Sequence, residues 1–290
     1  MTLNGPSSQT YFSQRLRLHY ADWGNADKPP LILLHGGRDH CRNWDWTAEA
    51  LRDDWHVICP DLRGHGDSAW ASDGNYPHLA YVYDLAQLID QLDLAPVTIV
   101  AHSLGGGIAT QYTGLFPEKV KKLVSLEGLG PSPAMIEERK KVGTSKILRD
   151  WIETKQKFAG KSPRRYPNFE AAHDRMRDEN PHLSDEQVHH LSVHAVVRNE
   201  DGSYSWKFDP LLHSWWPQGA AQEDVITMWK AITCPTLLLY GADSWASNPE
   251  KDGRIQYFGD HVSVKEFADA GHWLHHDQFE EFITPLRAFL

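Results

Sequence analysis

Four short apolar runs, Leu31–Leu34, His56–Cys59, Val97–Ala101 and Leu123–Leu126, recur along the first half of the chain with helix-like segments between them. Short apolar runs bounded by turn residues are what strands buried on both faces of a parallel sheet look like, so each is predicted as a strand. A fifth run, Thr236–Tyr240, comes more than a hundred residues later, and Val262–Phe267 makes a sixth. Ahead of them, Tyr11–Tyr20 alternates in the manner of an antiparallel hairpin at a sheet edge. Tyr81, Leu85, Leu88 and Leu92 recur at helical spacing until Pro96 stops the pattern. Strand, helix and strand thus alternate, which predicts an α/β fold built on a doubly wound, mostly parallel sheet. Such sheets bind ligands beyond the carboxyl ends of their strands, so the residues just after each run are where chemistry is to be sought.

From about Pro131 to Glu223 the rhythm breaks. This stretch lacks clear buried strands, is rich in charge, histidine and tryptophan, and reads as an inserted lobe over residues 131–223, with the sheet domain formed by 1–130 and 224–290. Within it, Ser184 and Gln187 have the spacing of a capping box and predict a helix starting just after Pro181. Trp206, Trp215 and Trp216 fall in a looser segment.

Composition narrows the partners. The chain has 290 residues and a formal charge of −10, which argues against nucleic acid, because phosphate binding draws on clustered Lys and Arg. Its three cysteines, Cys41, Cys59 and Cys234, are too scattered for a disulfide framework or a zinc knuckle, and fit a reducing compartment. Residues 1–15 are polar and no apolar run approaches a bilayer span. The expectation is a cytoplasmic protein with no membrane partner.

The most specific local signal is Ile99–Gly107, where an apolar strand runs through Ala101-His102-Ser103-Leu104-Gly105 into a helix. A nucleophilic serine on a strained strand-to-helix turn needs small residues two before and two after it, and Ala101 and Gly105 supply them. The plain alternative is that Ser103 merely caps the helix. Two further pieces add weight to the catalytic reading. His35-Gly36-Gly37 follows the Leu31–Leu34 strand, where glycines let backbone N–H groups face a developing oxyanion, and the expected donors are Gly37 and Leu104. Ala270-Gly271-His272-Trp273 follows the last strand, and a histidine there is the residue type suited to act as general base, taking the serine proton and returning it to the leaving group. His275 and His276 are expected to be solvated. His189, His190 and His194 tempt a metal reading, but no acidic residue at ligand spacing accompanies them, so no metal is expected.

With Asp61-Leu62-Arg63-Gly64-His65-Gly66-Asp67-Ser68 added, these motifs make the chain resemble the α/β-hydrolase superfamily over nearly its whole length. Leu126–Pro131 and Asn180–Ser184 are similar to the serine-hydrolase-like subgroup. The resemblance implies an eight-stranded sheet, a helical cap over 131–223, a catalytic triad in the order nucleophile, acid, histidine, and no cofactor. Arg63 and Asp67 are expected to brace the loop beneath the site. The acid stays open. In many relatives it lies three residues after the glycine ending the late strand, which here is Ser244, with Asp243 one residue earlier. Glu127, just after the Leu123–Leu126 strand, is the rival. Gly36, Arg38, His102 and Trp273 flank these motifs and are expected to line the space for substrate.

The function expected is hydrolysis of a carboxylic ester, thioester or lactone through an acyl-enzyme on Ser103, with His272 as base and an apolar or aromatic small-molecule substrate. Hydrolytic carbon–carbon cleavage of a dienoate-type ring-fission product, and a non-catalytic ligand-binding role, are the alternatives.

Overall fold

The computed structural model describes residues 5–158, 162–214, 217 and 219–290; Trp215 and Trp216 lie outside the described residues. The edge hairpin is β1 (Ser7–Ser13) paired antiparallel with β2 (Leu16–Asp22), as the alternation indicated. Then come β3 (Pro30–Leu34), α1 (Asp45–Leu51), β4 (His56–Pro60), α2 (His78–Gln91), β5 (Val97–His102), α3 (Leu104–Leu115) and β6 (Val120–Leu126).

The intervening segment carries α4 (Pro133–Val142), α5 (Thr144–Phe158), α6 (Phe169–Glu179), α7 (Asp185–Ala195) and a small hairpin of β7 (Val196–Arg198) and β8 (Tyr204–Trp206). The sheet resumes after α8 (Gln222–Ala231) with β9 (Thr236–Gly241), short α9 (Pro249–Asp252), β10 (Val262–Phe267), short α10 (Leu274–Asp277) and α11 (Phe279–Phe289).

The eight-stranded sheet has the order β1-β2-β4-β3-β5-β6-β9-β10, and every pairing from β4 to β10 is parallel. Side chains alternate across it, so one strand feeds two cores. Ile32 and Leu34 point to the face covered by α2, α3 and α8, where Leu85, Ile108 and Trp229 pack. Leu31 and Leu33 point to the opposite face, against Trp44 and Ala48 at and just before α1 and Phe282 and Leu286 of α11. Both faces being covered explains why β5 and β9 are buried at every position and why the sequence shows them as unbroken apolar runs.

The inserted segment is built differently. α4 and α5 contain no buried residue, whereas α7 buries Val188, Leu191, Ser192 and Ala195. The capping box holds: Ser184 accepts from the Gln187 N–H while the Gln187 side chain accepts from the Ser184 N–H. Cys41, Cys59 and Cys234 are free thiols, all buried. Among the described residues no helix is long and apolar enough to cross a membrane.

Candidate active site

β5 ends at His102, and Ser103 turns the chain into α3 with φ +52°, a conformation unusual for a residue with a side chain. Tight neighbours make the turn possible. A Cβ on Gly105 would lie 2.5 Å from the His35 carbonyl oxygen and 2.6 Å from that of Leu34, so the position two after the serine admits only glycine. One layer out, a Cβ on Gly106 would meet the Gly128 Cα at 2.6 Å, which lets α3 settle onto the end of β6.

His272 reaches this turn from the loop after β10. Its Nε2 lies 3.0 Å from Ser103 Oγ and its Nδ1 lies 2.5 Å from Glu127 Oε2. A carboxylate only accepts, so Nδ1 carries the proton and Nε2 is left to accept from the serine hydroxyl. Glu127 is 4% exposed, adopts φ +53° just beyond β6, and accepts further bonds from the Gly241 N–H at 2.8 Å and the Ser244 hydroxyl at 2.5 Å.

The rival carboxylate, Asp243, is not brought to the histidine: it is exposed, and its backbone N–H donates to the Ala270 carbonyl. Ser244, at the position where many relatives carry the acid, instead donates to Glu127, so a hydroxyl from the β9 loop supports a carboxylate from β6.

Gly37 follows β3 and Leu104 opens α3. Among the described residues no hydrogen-bond acceptor is recorded for either amide. Leu104 N–H is one of the unsatisfied donors of a helix start, where negative charge is favoured.

The four residues expected to line the substrate space divide. Arg38 is exposed, with φ +59°, directly after Gly37. His102, in contrast, is 1% exposed and lies beneath the site: its Nε2–H donates to the His272 carbonyl at 2.8 Å and its ring sits 4.7 Å from the His272 ring. Burial and the neighbouring His272 push its pKa well below the usual value, so it stays neutral. Gly36 serves this ring, because a Cβ there would lie 2.8 Å from His102 Nδ1. Trp273 is half-buried and faces the inserted segment, packing with Leu183, Val188 and Leu191.

Several other expectations change. His275 and His276 are not solvated but 1% and 7% exposed, and the His275 Nε2–H donates to Asn43 Oδ1 at 2.7 Å. Beneath the site Asp61, more than Asp67, is the brace. It accepts from His19 Nδ1 and the backbone N–H groups of Cys41 and Asp67; burial pushes its pKa up, but the His19 bond, the nearby His35 ring and the Asp67 N–H together hold the carboxyl well below the usual range. Arg63 pairs with Asp84 of α2 through two bonds of 2.5 and 2.6 Å, while Asp67 reaches Lys207 of the insertion.

The sequence pattern did not single out Trp245, which is 65% exposed with its ring 4.7 Å from that of His272. Its place in the loop after β9 was the available signal.

A family model for the α/β hydrolase fold matches residues 29–279, and the chain belongs to that family. It is an α/β hydrolase. A serine hydrolase-like protein of Danio rerio is 30% identical over 188 residues, covering 64% of this chain and 57% of that protein. The esterase Rv0045c of Mycobacterium tuberculosis is 25% identical over 99% of this chain and 91% of its own length. The sn-1-specific diacylglycerol lipase ABHD11 of Mus musculus is 26% identical, over 92% and 82%. Among solved structures, the thioesterase domain from the curacin biosynthetic pathway superposes with a TM-score of 0.82 at 23% identity, covering 98% of this chain and all of that domain, a likeness of fold.

Proposed function

We propose that the chain hydrolyses a carboxylic ester, thioester or lactone by way of an acyl-enzyme on Ser103. The observation that carries this reading is the unbroken line Glu127 Oε2, His272 Nδ1, His272 Nε2 and Ser103 Oγ, with steps of 2.5 and 3.0 Å across the ring. In this reading His272 takes the serine proton as the hydroxyl attacks the substrate carbonyl, and returns it to the leaving group as the tetrahedral intermediate collapses. Glu127 fixes the imidazole tautomer and stabilises the imidazolium. The Gly37 and Leu104 amides hold the oxyanion, each contributing about 3 to 4 kcal/mol to the barrier reduction. Water, activated by the same ring, then releases the acid.

Residues 131–223 act as a cap over the strand ends, and the exposed Trp245 and half-buried Trp273 fit an apolar or aromatic group near the catalytic ring. The relatives named as esterase and diacylglycerol lipase support the ester class.

Arg38 favours a second reading, carbon–carbon hydrolysis of a dienoate. Among the described residues its guanidinium has no carboxylate partner, and it follows directly on Gly37. Turnover of p-nitrophenyl acetate, abolished in Ser103→Ala, tests the first reading and rejects a purely ligand-binding role. Turnover of vinylogous diketone acids without ester turnover would favour the second.

A further inference from the structure

Away from Ser103, the insertion meets the sheet domain at a cluster of ligating side chains that the hydrolytic reaction does not use. His190 and His194 stand four apart on α7 and so share one helix face, and that face rests on Asp45, the first residue of α1. The sequence holds these residues about 145 positions apart, which is why the histidines showed no acidic companion. In the fold, one ligand atom from each of Asp45, His190 and His194 lies within 4.8 Å of the other two. His190 Nε2 is 3.0 Å from Asp45 Oδ2.

A cation already bridges two members of this group. The guanidinium of Arg42 binds Asp45 through Nε at 2.8 and 2.7 Å and Nη2 at 2.6 Å, and its Nη1 lies 3.4 Å from His194 Nδ1. Asp45 and His194 therefore face a point where positive charge is held in place, and His190 Nε2 lies beside the same carboxylate. Two donors on one tetrahedral zinc, at bond lengths of about 2.0 to 2.2 Å, stand about 3.4 Å apart. The observed separations need only side-chain rotations to reach that.

We propose that Asp45, His190 and His194 form a binding site for a borderline divalent transition-metal ion such as Zn2+ or Co2+, with Arg42 as the displaceable group that fills it otherwise. On binding, the metal replaces the proton of His190 Nε2, which leaves to solvent, and the Arg42 side chain swings outward. Its side chain is 28% exposed, so the route is short.

His194 is ready to ligate. Its Nδ1 faces the guanidinium of Arg42 at 3.4 Å, and a guanidinium only donates, so that nitrogen presents its lone pair to the group. Two imidazoles and one carboxylate suit Zn2+ and Co2+, whereas Mg2+ and Ca2+ demand oxygen ligands and more of them. An ion here joins the inserted α7 to α1. It does so next to the edge-to-face cluster of His190, Trp46 and His276, with ring centroids 4.7 and 5.4 Å apart, so the clamp sits against the segment that follows His272.

Titration of the full chain with Co2+, followed by its visible absorption, tests the site directly, because three protein ligands give the intense band of low-coordinate cobalt. The expected result is saturation at one equivalent, competed by Zn2+ and unaffected by Mg2+ or Ca2+. Affinity should fall at least tenfold in His194→Gln and Asp45→Asn, and rise about tenfold in Arg42→Ala. Zn2+ should also raise the thermal midpoint of the wild type and not that of His194→Gln, a variant that keeps the side chain's bulk. Unchanged affinity in both His194→Gln and Asp45→Asn would assign the binding to exposed histidines and overturn the proposal, as would the absence of a cobalt band.

Discussion

The sheet domain and the inserted segment are held together by different means. In the sheet domain a strand such as β5 is buried at all of its positions, and each of its side chains commits to one of two cores. In the insertion, α4 and α5 bury none of their residues, and the segment is tied down through α7, whose Leu191 carbonyl accepts from His40 and whose Gln187 donates to the His276 carbonyl, and through Asp209, which accepts from the Tyr76 hydroxyl, and Leu212, which joins the sheet core. Reaction chemistry has its parts on the rigid side: Ser103, Glu127 and His272 all lie just beyond strand ends. In the proposed function, choice of substrate falls to the side with fewer packing constraints, away from the line from Glu127 to Ser103.

The comparison can be broken from its strong end. Ser103→Ala is expected to lower kcat on p-nitrophenyl acetate by about 10⁴-fold or more with an unchanged thermal midpoint. A residual rate within tenfold of wild type would move the nucleophile elsewhere. Glu127→Gln is expected to cost about 10³- to 10⁴-fold in kcat by leaving Nδ1 without its acceptor, while Asp243→Asn stays within about twofold, as suits an exposed side chain off the catalytic line.

Acid should weaken the sheet domain next. Burial holds the pKa of His35 to about 4, and those of His65 and His276 to about 3. The unfolded rings titrate near 6.5, so between about pH 6.5 and 4 the unfolded chain binds protons that the native rings refuse. Stability is therefore retained above about pH 6.5 and lost as the pH falls, at up to about 1.4 kcal/mol per pH unit for each such histidine. Urea midpoints measured across that range should decline steadily; flat midpoints would contradict the burial.

Gly128→Ala comes after that. Its new methyl would sit 2.4 Å from the Gly106 Cα and from Ser125 Oγ, forcing α3 off β6 at a cost of about 1 to 3 kcal/mol in urea unfolding. The smallest effect belongs to the insertion. Ile152→Ser on α5, at a side chain 48% exposed, should change stability by no more than about 0.5 kcal/mol.

What could be read in advance follows the same divide. Leu31–Leu34 and Thr236–Tyr240 announced themselves because a strand covered on both faces must be apolar throughout. The serine turn was legible because backbone crowding at Gly105 restricts the residue types allowed there. The acid was not, since both Asp243 and Glu127 follow strands and only the third dimension shows that Ser244 and the Gly241 N–H point at one of them. His102 and His275 misled for a related reason: an imidazole near a catalytic loop reads the same whether it faces substrate or is sealed beneath it against Asn43 or the His272 carbonyl. Asp45 and His190 could not be joined at all across so long a stretch of chain.

The most direct measurement is the rate at which a fluorophosphonate labels the wild type, Glu127→Gln and Asp243→Asn, with the adduct located by mass spectrometry. The account predicts an adduct on Ser103, labelling about a hundredfold slower or more in Glu127→Gln, and wild-type labelling in Asp243→Asn. An adduct on another residue, or a Glu127→Gln variant that labels as fast as the wild type, would contradict it.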